Sequence, residues 1–154
     1  MDVRYWDSDC FLGWLLEEAD KMSECGEVLT EASAGRVQIV TSALTLAEVI
    51  KLGKGRTPVP SRHADRIREV FSRSCIVVRN LDRFIAEDAR QLIWDNSGVS
   101  PKDAIHVATA LRLHLRVFNT FDGDLIGLTE RFGDPPMRIE RPAVAQRKLG
   151  LGGP

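Results

Sequence analysis

The chain has 154 residues, 44% of them apolar and 28% charged, enough for one domain with a core of useful size. A net charge of −1 excludes a surface that attracts nucleic acid as a whole, though not one whose charge is segregated. No apolar run approaches the ~20 residues that cross a bilayer, and no basic segment leads into a long apolar one at the N-terminus, so neither a membrane span nor a signal peptide is expected.

Taken in chain order, VRYWD (3–7) reads as a first strand. Residues 9–22 place Phe11, Leu12, Leu15, Leu16 and Ala19 on one face of a helix, and 26–34 form a shorter one with Gly35 where its C-terminal cap belongs. RVQIVT (36–41) is a second strand, followed by a helix over 42–52. The run GKGRTPVPSRHADRIR then carries Lys54, Arg56, Arg62, Arg66 and Arg68 against Asp65 alone. It is a candidate contact for nucleic-acid phosphates, led by Lys54, Arg56 and Arg62, or simply a solvated face leading into a helix at 61–73. CIVVR (75–79) is a third strand, and 82–96 a helix with Phe84, Ile85, Ala89, Leu92 and Ile93 as its apolar stripe. PKDAIHVATALRLH (101–114) is a helix that Ser100 caps and Pro101 opens. RVFNT (116–120) and MRIER (137–141) complete five strands, and residues 143–154, ending QRKLGLGGP, are expected as a flexible tail behind a 1–142 domain. Cys10, Cys25 and Cys75 are an odd number without metal-ligand spacing, expected as free thiols in a reducing, cytoplasmic compartment.

Strands alternating with helices imply an α/β fold with a parallel sheet covered on both faces, and such sheets bind ligands beyond the carboxyl ends of their strands. Asp7 ends the first strand, Glu48 lies one to two turns into the helix leaving the second, and Asp122 and Asp124 follow the fourth. Asp103 opens the helix that runs antiparallel into the fourth strand, so it too reaches the carboxyl end. Each acid has a structural explanation of its own. Ser100 to Asp103 resembles a capping box, Thr45 to Glu48 reads as another, Asp122-Gly123 is turn chemistry, and Asp7 or Asp9 suits a helix cap. Capping does not require acids from four segments to converge, however, and like charges at one rim repel. A hard divalent cation cancels that repulsion, and an all-oxygen donor set suits Mg²⁺ or Mn²⁺ rather than zinc. Phosphodiester hydrolysis uses such a site. Ser8 and Thr120 add hydroxyls beside the acids, as ligand contacts or as turn caps.

YWDSDCFLGWLL, VTSALTLAEVIK, LDRFIAEDARQLIWDNSGVSPKDAIHVATAL and VFNTFDGDL, in that order and spacing over about residues 3–141, resemble the PIN-domain ribonucleases and, within them, the VapC-like toxins of toxin–antitoxin pairs. The resemblance implies a three-layer PIN-like fold with a parallel five-stranded sheet in the order 3-2-1-4-5. It implies that Asp7, Glu48, Asp103 and Asp122 form the acidic quartet that holds Mg²⁺ or Mn²⁺, with Asp124 as an extra acid. Ser8 and Thr120 match the family's hydroxyl positions. An RNA substrate, a cognate antitoxin and a homodimer are implied in the same way. One departure is Asp9, which stands where the family carries an apolar residue.

Rival readings stay open at this point. Asp7-Ser8-Asp9 also suggests a haloacid-dehalogenase-like phosphatase, but Phe11 and Leu128 stand where that chemistry wants other residues. A receiver domain would need an Asp at the end of the third strand, where Arg79-Asn80 stands. A housekeeping RNA-processing nuclease and a non-enzymatic binding module of the same fold also remain. His63 and His114 read as surface residues, His106 as a residue turned to the site or the sheet, and Trp14 and Trp94 as core or dimer-interface aromatics.

Overall fold

The computed structural model describes residues 1–53 and 57–144, so Lys54, Arg56 and residues 145–154 of the expected tail lie outside the described residues. The elements run β1 (Asp2–Trp6), α1 (Ser8–Leu15), α2 (Met22–Ser33), β2 (Val37–Ser42), α3 (Ala43–Glu48), α4 (Ser61–Ser72), β3 (Ile76–Arg79), α5 (Arg83–Asp95), α6 (Pro101–Arg112), β4 (Val117–Asn119), α7 (Gly123–Ile126) and β5 (Arg138–Glu140). All five expected strands form, and they pair in parallel in the order β3-β2-β1-β4-β5. β1 is central, with Tyr5 opposite Val40 on one side and Phe118 on the other.

The two-residue period of a strand sends successive side chains of β1 to opposite faces. Trp6 joins Phe11, Leu15, Val28, Ile39 and Val70 in the core under α1, α2 and α4. Tyr5 stacks on Phe118, ring centroids 4.9 Å apart, in the core under α6 with Val107, Met137 and Ile139. Burying each such aromatic contributes roughly 1.5–3 kcal/mol, which makes β1 the spine of both layers. A third cluster, Ile85, Ala89, Ala104 and Ala108, joins α5 to α6 through small residues that let the two helices approach closely. No helix among the described residues is long and apolar enough to cross a membrane.

Three helix boundaries differ from the sequence reading. The helix expected over 9–22 ends at Leu15, and α2 starts at Met22 rather than 26. Glu17 turns to φ 53, and the N–H groups of Glu17 and Glu18 bond back to Trp14 and Gly13. Glycines allow that reversal: a Cβ on Gly13 would stand 3.0 Å from the Lys21 Cβ, and one on Gly26 would stand 3.1 Å from the Trp14 ring. Trp14 thus serves the packing of α1 on α2. The helix expected over 42–52 stops at Glu48, because Val49 leaves helical geometry and turns into the core at 2% exposure. Asp122, read as a turn residue, caps the four-residue α7. Gly35, at φ 76, does follow the end of α2 as expected.

Candidate metal centre at the carboxyl end of the sheet

Asp7 leaves β1 in extended conformation and caps α1, its Oδ1 accepting from the Cys10 N–H at 3.4 Å. Asp122 caps α7 in the same way, its Oδ1 accepting from the Asp124 N–H at 2.9 Å. Asp103 sits in the first turn of α6, where its N–H donates to the Ser100 hydroxyl at 3.3 Å. The capping explanation therefore holds for Asp7 and Asp122, and it leaves room for a second role. A carboxylate has two oxygens, and a cap that uses one orients the other. Glu48 differs. Ser42 caps α3, and Thr45 lies inside that helix with its hydroxyl 2.7 Å from Thr41, so the capping box read at Thr45 to Glu48 does not form.

The electrostatics show which acids share a space. Asp7 is 4% exposed, and burial first, then the neighbouring Asp9, pushes its carboxyl from an ordinary 3.8 up to about 7. Hydrogen bonds from the Thr120 hydroxyl and the Cys10 N–H, and the proximity of His106, oppose the rise. Asp103 is raised by partial burial and by Asp122 and Glu48. Asp9 is raised by partial burial and by Asp122, Asp103 and Glu48, with Lys21 opposing. Glu48, Asp103 and Asp122 thus act on Asp9, and Asp9 in turn acts on Asp7, so Asp9 links the first acid to the other three. Asp7, not Asp9, takes the cap of α1, and Asp9 sits in the first turn of that helix, where Asp122, Asp103 and Glu48 raise its carboxyl. Asp124 is exposed at the outer edge, where it lines a cavity of about 330 Å³ with Asp103 and Asp122. A larger hollow of about 490 Å³ borders the opposite end of the sheet, where Arg4 and Arg36 pair with Asp2 and Glu31.

Thr120 is fully buried, and its hydroxyl also accepts from the Asp122 N–H at 3.0 Å, so it ties two of the acids to one point. Ser8 opens α1, half-buried. Of the basic run, Arg66 and Arg68 pair with Glu17 and Asp65, whereas Arg62 is exposed on α4 without an ion pair among the described residues. His114 is exposed as expected, but His63 is half-buried.

Sequence reasoning did not connect Tyr5, His106 and Glu48. Tyr5 Oη lies 2.6 Å from His106 Nδ1, and His106 Nε2 lies 2.6 Å from Glu48 Oε1. Burial holds the Tyr5 hydroxyl protonated, far above its ordinary titration range. The one available signal was a tyrosine in a strand reading as wholly buried, since a buried phenol needs a partner.

The donor chemistry suits a hard divalent cation: it is all carboxylate and hydroxyl oxygen, and among the described residues Lys21 is the one cation that opposes the rise at Asp9. Among the described residues, no group of three or more His, Cys, Asp or Glu side chains is placed, as it stands, to hold a metal ion.

The family model described as "PIN domain" matches residues 5–130. Among solved structures, the chain is similar to the VapC20 toxin of Mycobacterium tuberculosis, described as cleaving the sarcin–ricin loop (15% identity, TM-score 0.63, covering 79% of this chain and 91% of that one). It is also similar to a DNA-bound VapBC2 from Rickettsia felis (12% identity, TM-score 0.63, 90% and 98%) and a DNA-bound VapBC from Salmonella typhimurium (21% identity, TM-score 0.59, 92% and 98%). At these identities the likeness is one of fold. No curated protein matches the sequence.

Proposed function

The chain belongs to the PIN domain family, and we propose that it is a Mg²⁺- or Mn²⁺-dependent endoribonuclease, the toxin of a toxin–antitoxin pair. The observation that supports this reading is electrostatic crowding of acids from separate segments: Asp122 and Glu48 raise Asp103, the same two and Asp103 raise Asp9, and burial with Asp9 drives the Asp7 carboxyl up to about 7. Structural caps alone gain nothing from that crowding. RNA as substrate and an antitoxin as partner are supported by the toxins and toxin–antitoxin complexes whose fold this chain shares.

In this reading Asp7, Glu48, Asp103 and Asp122 would hold the cation, with Asp124 as a further acid beside Asp103 and Asp122. When bound, the cation supplies positive charge against phosphate oxygens and acidifies water in the site. The protein does the rest. The caps at Asp7 and Asp122 fix one oxygen of each carboxylate, and Thr120 ties the Asp7 side chain to the Asp122 backbone. Ser8 offers a hydroxyl to a phosphate. Asp9 adds negative charge that raises the affinity for a cation. Arg62, with Lys54 and Arg56 of the same run, contacts the RNA backbone. A homodimer would cover the exposed face of α5, where Phe84 and Trp94 are 64% and 68% exposed.

The test is cleavage of a broad RNA panel by the purified protein with Mg²⁺ or Mn²⁺, against EDTA and Asp103→Asn. Cleavage that requires both the metal and Asp103 supports the reading. Failure of the protein to bind either metal overturns it and leaves the acids as caps.

A further inference from the structure

Tyr5 and His106 are buried to 0% and 2% exposure at the rim of the candidate centre, yet neither belongs to the acidic set. They come from β1 and α6 and meet across the sheet. The direction of each hydrogen bond between them follows from counting protons. The Ser42 backbone N–H can only donate, and it points at Tyr5 Oη over 3.1 Å. Tyr5 Oη therefore accepts there, and its own proton goes elsewhere. Thr41 donates its hydroxyl proton to the Trp6 carbonyl at 2.7 Å and receives that of Thr45. His106 Nδ1, 2.6 Å away, is the acceptor that the geometry offers the Tyr5 proton. An imidazole that accepts at Nδ1 carries its proton on Nε2, and that proton points at Glu48 Oε1, which accepts. The chain from the Ser42 N–H through Tyr5 and His106 to Glu48 thus runs in one direction.

Glu48 needs such a hold. It is the last residue of a six-residue helix, and the chain leaves helical geometry at Val49. A free glutamate has three rotatable bonds, and fixing them costs conformational entropy. If the cation had to do this ordering itself, its affinity would fall accordingly.

We propose that Tyr5 and His106 are positioning residues for the metal site: they turn one Glu48 oxygen to His106 Nε2 and leave the other for the cation. The inference rests on the metal-nuclease reading above. Outer partners of metal ligands typically change affinity by about 10- to 100-fold when removed, which sets the expected scale.

The experiment measures Mn²⁺ affinity by titration calorimetry for the wild type, Tyr5→Phe, His106→Asn and His106→Gln. On the same preparations, RNA cleavage is followed against Mn²⁺ and against RNA concentration. Tyr5→Phe and His106→Asn are expected to weaken Mn²⁺ binding by about 10- to 100-fold and to raise the Mn²⁺ needed for half-maximal cleavage equally. The KM for RNA at saturating Mn²⁺ stays unchanged. His106→Gln places an amide N–H where Nε2 stood but offers Tyr5 no acceptor at Nδ1, so it recovers part of the affinity that His106→Asn loses. Wild-type Mn²⁺ affinity in folded Tyr5→Phe and His106→Asn overturns the proposal, as does a glutamine variant that binds as weakly as the asparagine one. Tyr5→Phe keeps the buried ring and its stacking on Phe118, so it carries the test if His106→Asn does not fold. A wild type that binds no Mn²⁺ is a different result, and overturns the metal reading itself.

Discussion

Asp7→Asn should make the protein more stable while it removes the activity. Burial and Asp9 lift the Asp7 carboxyl from 3.8 to about 7. At ~1.4 kcal/mol for each tenfold change in proton affinity, the ionised group costs the metal-free fold on the order of 4 kcal/mol. The sign follows from proton counting. Between pH 4 and 7 the native state holds a proton on Asp7 that the unfolded chain has released, so stability falls as pH rises through that window. Below it both states are protonated and nothing is lost; above it the full cost applies. Asparagine caps a helix as well as aspartate does, so the bond to the Cys10 N–H survives the change. Without the charge, the variant escapes the pH-dependent loss. In EDTA at pH 8 it should melt about 10 °C above the wild type, taking 2–4 °C per kcal/mol for a chain of this size. The two should converge near pH 4. Added Mn²⁺ should raise the melting temperature of the wild type and leave the variant unmoved. Thermal denaturation followed by circular dichroism from pH 4 to 8 makes the comparison. A variant that melts below the wild type at pH 8 in EDTA, or a gap that does not widen with pH, would refute the reasoning, because Asp7 would then be a well-satisfied structural group.

Asp103→Asn removes charge and keeps shape: cleavage should disappear while the far-ultraviolet spectrum and melting temperature stay close to wild type, and a large loss of stability with activity retained would mark Asp103 as a cap only. Ser100→Ala deletes the cap that accepts from the Asp103 N–H and should cost ~1 kcal/mol in urea denaturation. Arg62→Ala should raise the KM for RNA and lower the slope of log affinity against log salt by about 0.7, the value for one phosphate contact on a single strand; an unchanged slope would remove Arg62 from the interface. Trp94→Glu, a change on an exposed face, should convert a dimer to a monomer in sedimentation without altering the circular dichroism spectrum, and an unaltered dimer would move the interface away from α5.

The acids of the candidate centre were legible because a parallel sheet turns sequence position into place. A residue just after a strand, or at the start of a helix leading into one, must lie at the carboxyl end, and Asp7, Asp103 and Asp122 obey that rule. The strand order became legible only through the family resemblance, since neither hydrophobic pattern nor spacing says which strand is central. Helix ends were least legible, for local reasons. Glu17 adopts a positive φ that no propensity favours, and it is tolerated because Gly13 and Gly26 let α1 and α2 close over Trp14. Val49 ends α3 because a buried position at 2% exposure outweighs continuation of the helix. The link from Tyr5 to Glu48 was not legible at all. It joins side chains whose separation in sequence carries no pattern, and only the packing of α6 across β1 and β2 brings them together.

The three residues Tyr5, Trp6 and Asp7 show how one strand can organise the whole site. β1 is the central strand, so its end is flanked by both β2 and β4. Tyr5, turned to one face, accepts from the Ser42 N–H on the β2 side and reaches Glu48 through His106. Trp6, turned to the other face, donates its indole N–H to Asn119 Oδ1 at 3.2 Å on the β4 side. The Asn119 amide then donates to the Glu140 and Arg141 carbonyls, which fixes the strand end that carries Thr120 and Asp122. Asp7 stands between these two arms. The two aromatic residues that anchor the core therefore also set the positions of the acids on either side. A truncation of Trp6 should accordingly harm the site through Asn119 and Thr120 as well as through lost packing. Trp6→Phe separates the two effects: it keeps most of the buried ring but leaves Asn119 Oδ1 without its donor. Its cost in stability should be about 1–3 kcal/mol, the range for a buried acceptor left unpaired. Its Mn²⁺ affinity should fall while Glu48, on the Tyr5 arm, keeps its partner. Unchanged metal binding in that variant would mean that only the Tyr5 arm positions ligands and that Asn119 serves the sheet alone.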